Sequence, residues 1–314
     1  MTDEGNWDEL PHELVSKVAE LLLRCDVTDF VRLRTVKSWR DAVTAPKLMG
    51  MNPRFFPRHW KMLQIQGEQA RFVNVLTGAS IRVKIPQEHG QVIASAEGCL
   101  LLASGTHKVC LFNPVTAAVD DLPTSFFGIR ANSVTATGDI QAAGISHGEG
   151  EDDTAPTPTV VLLVALFSID MVKYARPGDA VWQWRYFAPN EDGELPLFDG
   201  EGGLSLGGRF YVPSVTGDVL KLELHPQPHF VYVARQEPTD DQASHLNMRS
   251  YLVPSVDAGM LLVVRRFENH AGYIVAASHV FQVNLAEGIL TLLQDKKDIG
   301  SRSIFHRWLT LGMQ

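Results

Sequence analysis

At the start of the chain the apolar residues recur at helical spacing. Leu10, Leu14, Val18 and Leu22 step by four, and Val15 and Leu21 widen the stripe, which predicts an amphipathic helix. Pro11 falls in the first turn, where a helix tolerates proline, and Asp26 is placed to cap a second helix carrying Phe30, Leu33 and Val36. A third short helix around Trp39 closes a small all-α module over residues 6–45. So small a module buries little apolar area, so part of its apolar surface is expected to belong to a partner.

Beyond Met62 the pattern changes to short β-branched and aliphatic runs separated by turn residues, as in an all-β sandwich, barrel or propeller. Three segments look alike: FVNVLTGASIRVKIP, LFNPVTAAVDDLP and VPSVTGDVLKLELHP, each with two apolar runs around a threonine-containing turn and a closing proline. Thr77 and Thr116 lie 39 positions apart, which matches one blade of a four-stranded propeller, and Thr216 lies 100 further on, an ambiguous interval. Residues 46–61 then form a connector and 62–314 the β domain. Gln141 to Pro158 holds almost no large apolar residue and is expected to be a polar loop insertion; Asn190 to Gly203 is a second, acidic loop.

Charge narrows the partners. The 28 Lys and Arg against 36 Asp and Glu give a net charge of −8, which opposes nucleic acid and anionic membrane surfaces. Cys25, Cys99 and Cys110 form no C-x-x-C pair, as expected for reduced thiols of a cytoplasmic or nuclear protein. The acidic start MTDEGNWDEL lacks the pattern of a signal peptide, and the longest apolar run, Val160 to Phe167, is too short for a membrane helix. A soluble protein is the expectation.

Candidate chemistry is sparse. Two G-x-S-x-G strings, around Ser146 and Ser205, invite comparison with a hydrolase nucleophile, but that elbow needs a strand, a sharp turn and a helix. The first string falls in the expected polar loop and the second runs into strand-like GRFYV. Asp192, Glu194, Asp199 and Glu201 lack the register of a calcium loop, and prolines beside His225 and His229 exclude a helix that would aim both at one metal. Arg54, Arg58, His59 and Lys61, interleaved with Phe55, Phe56 and Trp60, have the composition of a nucleic-acid patch, but the negative total favours a connector that pins the helices to the β domain. No catalytic residue, metal or cofactor is expected.

WDELPHELVSKVAELLLRCDVTDFVRLRTVKSWRDAV resembles an F-box, with its Leu10-Pro11 start, Glu13-Leu14, the Asp-Val-Thr-Asp junction and the terminal Ser38-Trp39-Arg40. The remainder is similar to the KIB-type β-propellers of plant F-box proteins, on NPRFFPRHW (52–60), FVNVLTG (72–78), SAEGCLLLAS (95–104), LFNPVTAAVDDLP (111–123), YARPGDAVWQW (174–184), GGRFYV (207–212) and SYLVPS (250–255). The resemblance implies a mainly β fold: a three-helix F-box followed by a propeller of about six blades, the last incomplete where the chain stops. It also implies a function, substrate recognition within a Skp–cullin–F-box ubiquitin ligase. By position, the Skp-type adaptor would be met by Leu10, Pro11, Leu14, Val18, Val27, Phe30, Leu33 and Val36, with Trp39 in the module's own core, while the propeller takes a target protein. Between Val36 and Trp39 this chain is one residue shorter than the family's usual pattern, a rotation of about 100° if the segment is helical.

Overall fold

The computed structural model of the chain describes residues 10–45, 50–86, 91–103, 109–124, 140–147, 157–166, 169–187, 203–235, 248–255, 259–270 and 273–293. They contain three α-helices and five antiparallel sheets, which group into two compact units.

The first unit holds the helices. Helix α1 (His12–Cys25) starts after Pro11 with no side-chain cap; Glu13 in its first turn and Arg24 in its last complement the helix dipole. Helix α2 (Val27–Leu33) is capped as the sequence predicts: the Asp26 carboxylate accepts from the Thr28 amide at 2.7 Å. Helix α3 (Lys37–Arg40) is only four residues long. Val15, Ala19, Val27, Phe30 and Leu33 close a core with Phe55, whose ring meets Phe30 edge-on at 5.4 Å. Trp39 packs against this core.

The same unit holds two sheets. The first orders β1 (Trp60–Gln66), β2 (Gln69–Asn74) and β3 (Ser80–Lys84); the second orders β4 (Gln91–Ala96), β5 (Cys99–Ala103), β6 (Val109–Phe112) and β7 (Val119–Asp121). Alternate residues of both, Trp60, Met62, Phe72, Leu100, Leu102 and Phe112 among them, share one buried cluster, the period-2 pattern expected of strands with one covered face.

The threonine turns have a common chemistry. Asn74 Oδ1 accepts from the Leu76 and Thr77 amides at 2.8 and 3.1 Å, and Thr77 Oγ1 from the Ala79 amide at 3.3 Å. Asn113 and Thr116 repeat this, accepting from Val115 and Thr116 at 3.0 and 3.2 Å and from Ala118 at 3.3 Å. The two turns join β2 to β3 and β6 to β7, equivalent places in successive sheets, which is why 39 residues separate their threonines. The residue after threonine adopts positive φ in both, +72° at Gly78 but +56° at Ala117, where a Cβ is strained. Ala117→Gly is therefore expected to stabilise the protein by about 1 kcal/mol, read as a higher denaturant midpoint.

The second unit has three sheets: β8 (Ile140–Ser146), β9 (Thr159–Leu166), β10 (Ile169–Ala175) and β11 (Gln183–Tyr186); β12 (Leu204–Leu206), β13 (Arg209–Pro213), β14 (Val219–Glu223) and β15 (His229–Ala234); β16 (Met248–Ser255), β17 (Gly259–His270), β18 (Tyr273–Asn284) and β19 (Ile289–Leu292). Each is a meander of neighbouring strands. Val161, Leu163, Val172, Phe210, Leu220 and Phe230 lie in one core and Leu252, Met260, Leu262 and Phe281 in another.

Three expectations change. Ile140–Ser146 is a strand, so the polar insertion expected at 141–158 cannot begin before residue 147. The reason is spatial: a Cβ on Gly144 would lie 2.1 Å from the Phe210 ring and one on Gly203 2.9 Å from it, so the sequence there is poor in bulk because a ring fills the space. The Thr216 turn joins β13 to β14, one strand earlier in its sheet than the other two, which explains its unmatched interval. Finally, five sheets rather than about six are present among the described residues: successive sheets begin at Gln91, Ile140, Leu204 and Met248, wider apart than the roughly 40 residues per blade that an even division assumes. The last sheet, expected to be incomplete, has four strands, β16 to β19; among the described residues the sheet with three is the first, β1 to β3.

Candidate partner-binding surface

The residues expected to meet a partner separate into two groups. Val27, Phe30 and Leu33 are about 5% exposed and interlock with Val15, Ala19 and Phe55, so they form the module's own core and offer no surface. Leu10 and Val36 are half-buried, Leu10 against that core and Val36 as the residue before α3. Pro11, Leu14 and Val18 are exposed.

On α1, Leu14 is 45% exposed, Val18 39% and Leu21 60%. Steps of four and three put them on one face, opposite neither solvent-loving cluster nor core but beside Val15 and Ala19, which point inward. Leu21 belongs to this stripe and was absent from the expected contacts; its signal is the seven-residue step from Leu14. Three contiguous exposed aliphatic residues on one helix are an apolar ridge of the kind that marks a contact surface.

The ridge is held in a fixed attitude to the first sheet. Asp26, at the junction of α1 and α2, caps α2, accepts from Trp60 Nε1 at 3.2 Å, and accepts from Asn74 Nδ2. One carboxylate thus joins the start of α2, the first residue of β1 and the last of β2. The connector does the rest. Phe55 enters the helical core while Trp60 enters the sheet core, Arg54 pairs with Glu20 of α1, Arg58 pairs with the buried Glu97 carboxylate, and Asn113 Nδ2 donates to the Phe55 carbonyl at 2.8 Å. The basic, aromatic stretch therefore pins helices to sheet.

A small cleft of about 60 Å³ opens beside the end of α1, between Arg24, Asp26, Arg58 and His59. Burial holds the His59 ring below its ordinary pKa, Asp26 pulling the other way and Arg58 and Lys61 adding to the drop. Lys61 is lowered too, by burial, against the pull of Glu97. Burial above all raises the Cys99 thiol well above its usual range.

The serine strings have structural roles. Ser205 lies mid-strand in β12, and its hydroxyl accepts from the Ile145 amide at 2.7 Å; no helix follows it. Ser146 ends β8. The acidic loop with Asp192, Glu194, Asp199 and Glu201 lies outside the described residues. His229 Nε2 stands 3.4 Å from Glu223, whose carboxyl is held low chiefly by its bond from Lys221. Among the described residues no group of three or more His, Cys, Asp or Glu could hold a metal, and no helix is long and apolar enough to cross a membrane.

On the third sheet the outer strand β11 is exposed along its whole length, with Trp184 and Tyr186 edge-to-face at 5.4 Å, and Arg185 donates to the Trp184 carbonyl at 2.8 Å.

No curated protein matches the chain. The family model described as the KIB1-4 beta-propeller matches residues 72–308, from the second strand of the first sheet onward and thus most of the chain. With five antiparallel meanders as its blades and the helices and connector preceding it, the chain belongs to the KIB1-4 beta-propeller family.

Proposed function

We propose that this protein is the substrate-recognition subunit of a Skp–cullin–F-box ubiquitin ligase: α1 docks a Skp-type adaptor and the propeller takes the protein to be modified. The observation that carries the reading is the exposed Leu14, Val18 and Leu21 ridge on a helical module too small to leave such a surface idle. Membership of a propeller family supports a role in protein interaction. No bond chemistry is required of the chain; it raises the local concentration of a target lysine beside the ligase-bound ubiquitin donor. The Asp26 and Phe55 anchors suit this task, because a rigid mount preserves the distance from adaptor to target.

Calorimetry with a purified plant Skp-type adaptor tests the reading. Submicromolar binding is expected for the parent chain, weakened by about a hundredfold or more in Leu14→Asp/Leu21→Asp, since two buried leucines contribute roughly 3 kcal/mol or more together. Circular dichroism on the variant separates a lost contact from a lost fold. A parent chain that is folded and does not bind would favour a second reading, a propeller interaction protein acting apart from any ligase; the four-residue α3 is the observation on its side.

A further inference from the structure

We propose that Thr35 is a phosphorylation site for a basophilic protein kinase, and that Arg34 and Arg40 then hold the phosphate. Thr35 lies in the exposed turn between α2 and α3, inside the run Arg32-Leu-Arg34-Thr35-Val36-Lys37-Ser38-Trp39-Arg40. Four cations stand within nine residues, and among the described residues the carboxylate that pairs with one of them is Asp29, which takes Arg32 at 2.9 Å. Arg34 Nε is buried without a hydrogen-bond partner among the described residues, an unusual state for a guanidinium donor. Arg40 Nε donates to the Arg34 carbonyl at 3.1 Å, which brings a second guanidinium to the same turn. The Thr35 hydroxyl donates to the Arg32 carbonyl at 2.7 Å. It is thus held locally, on the exposed side of a short turn between the core residue Leu33 and Trp39.

The two halves of the inference have separate causes. Recognition follows from charge: Arg32, exposed and three residues before the acceptor, suits a kinase whose substrate groove is acidic. In the transfer, Thr35 Oγ1 attacks the γ-phosphorus of ATP, the bond from that phosphorus to the β–γ bridging oxygen breaks, ADP leaves and the hydroxyl proton passes to the kinase's catalytic carboxylate. Retention follows from the unpaired donor. The phosphate loses the hydroxyl's bond to the Arg32 carbonyl and meets the negative end of α2, but that helix is only seven residues long and two guanidiniums oppose its dipole. The turn that closes the helical module would then be tightened by charge-assisted hydrogen bonds.

The test uses the full chain, Mg-ATP and the catalytic subunit of a cyclic-nucleotide-dependent kinase, with site mapping by mass spectrometry. A single phosphate on Thr35 is expected, absent in Thr35→Ala and added about tenfold more slowly, or worse, in Arg32→Gln. For retention, phosphorus NMR titration of the modified protein is expected to give a second phosphate pKa below about 6, returning toward that value in Arg34→Gln. No incorporation, or incorporation on Ser38 with Thr35 unmodified, overturns the site. A phosphate pKa equal in parent and Arg34→Gln overturns the retention by Arg34. None of these readings depends on adaptor binding, so they stand or fall apart from the ligase reading.

Discussion

Replacing Asp26 by alanine is expected to cost about 3 kcal/mol or more, measured as a shift in the denaturant midpoint. The loss has three parts. Removing the cap of α2 costs about 1 kcal/mol, and the Trp60 indole N–H and the Asn74 amide are each left without their acceptor, at roughly 1–3 kcal/mol for a buried donor. Trp60 is 1% exposed, so its indole N–H has little access to water while the fold is intact. Asp26→Asn keeps an oxygen that can serve as cap and acceptor and should recover more than half of the loss. Equal losses in both variants would mean that the junction needs the charge rather than the bonds. A negligible loss in Asp26→Ala would mean that the helices and the first sheet are held together by Phe55 alone.

Gly98→Ala should be at least as damaging. A Cβ there would lie 1.9 Å from the Pro57 carbonyl oxygen and 2.5 Å from its carbon, both backbone atoms of the connector, at φ +81°. The left-handed backbone costs about 1–2 kcal/mol for a residue with a Cβ, and the clash must be relieved by moving the connector away from the β4–β5 turn. That movement also separates Arg58 from Glu97, whose side chain is 1% exposed and would be left a buried unpaired charge, a loss of about 3–5 kcal/mol. We expect Gly98→Ala to unfold the first unit or to lose more than about 4 kcal/mol in chemical denaturation. Gly78→Ala provides the comparison: its φ is +72° but nothing lies within 4 Å of the added Cβ, so only strain of about 1–2 kcal/mol is expected. Similar losses in the two variants would remove the close approach from the account.

The helices were legible because their signals are local. A four-step stripe, a proline in the first turn and an aspartate before α2 each act within a few residues, and the Asp26 cap forms as its spacing predicts. The blade interval was legible for the same reason, since the Asn-x-x-Thr turn is made by hydrogen bonds inside six residues. A fourth turn of related kind, where Asn284 Oδ1 accepts from the Ala286 and Glu287 amides before Gly288 at φ +72°, lacks the threonine and so escaped the pattern. The split of the expected contacts into ridge and core was not legible. Val27 and Val18 look alike in sequence, and only the packing of α2 on Phe55, a residue of the connector, decides that one is covered and the other is not. β8 failed for a similar reason, since the partner that fills its glycine gap lies more than sixty residues away at Phe210.

That gap binds the history of three positions together. Gly144 and Gly203 both border the Phe210 ring and neither is required to adopt positive φ; a smaller residue at 210 would open space for a side chain at 144 and, once Ala142 gives a little, at 203. Substitution at either glycine is therefore incompatible with phenylalanine at 210, whereas loss of the ring would leave a void that larger residues at 144 and 203 could fill. Divergence here is expected to be concerted: an alignment of relatives should show both glycines wherever the aromatic ring is kept, and a smaller residue at 210 wherever a glycine is lost.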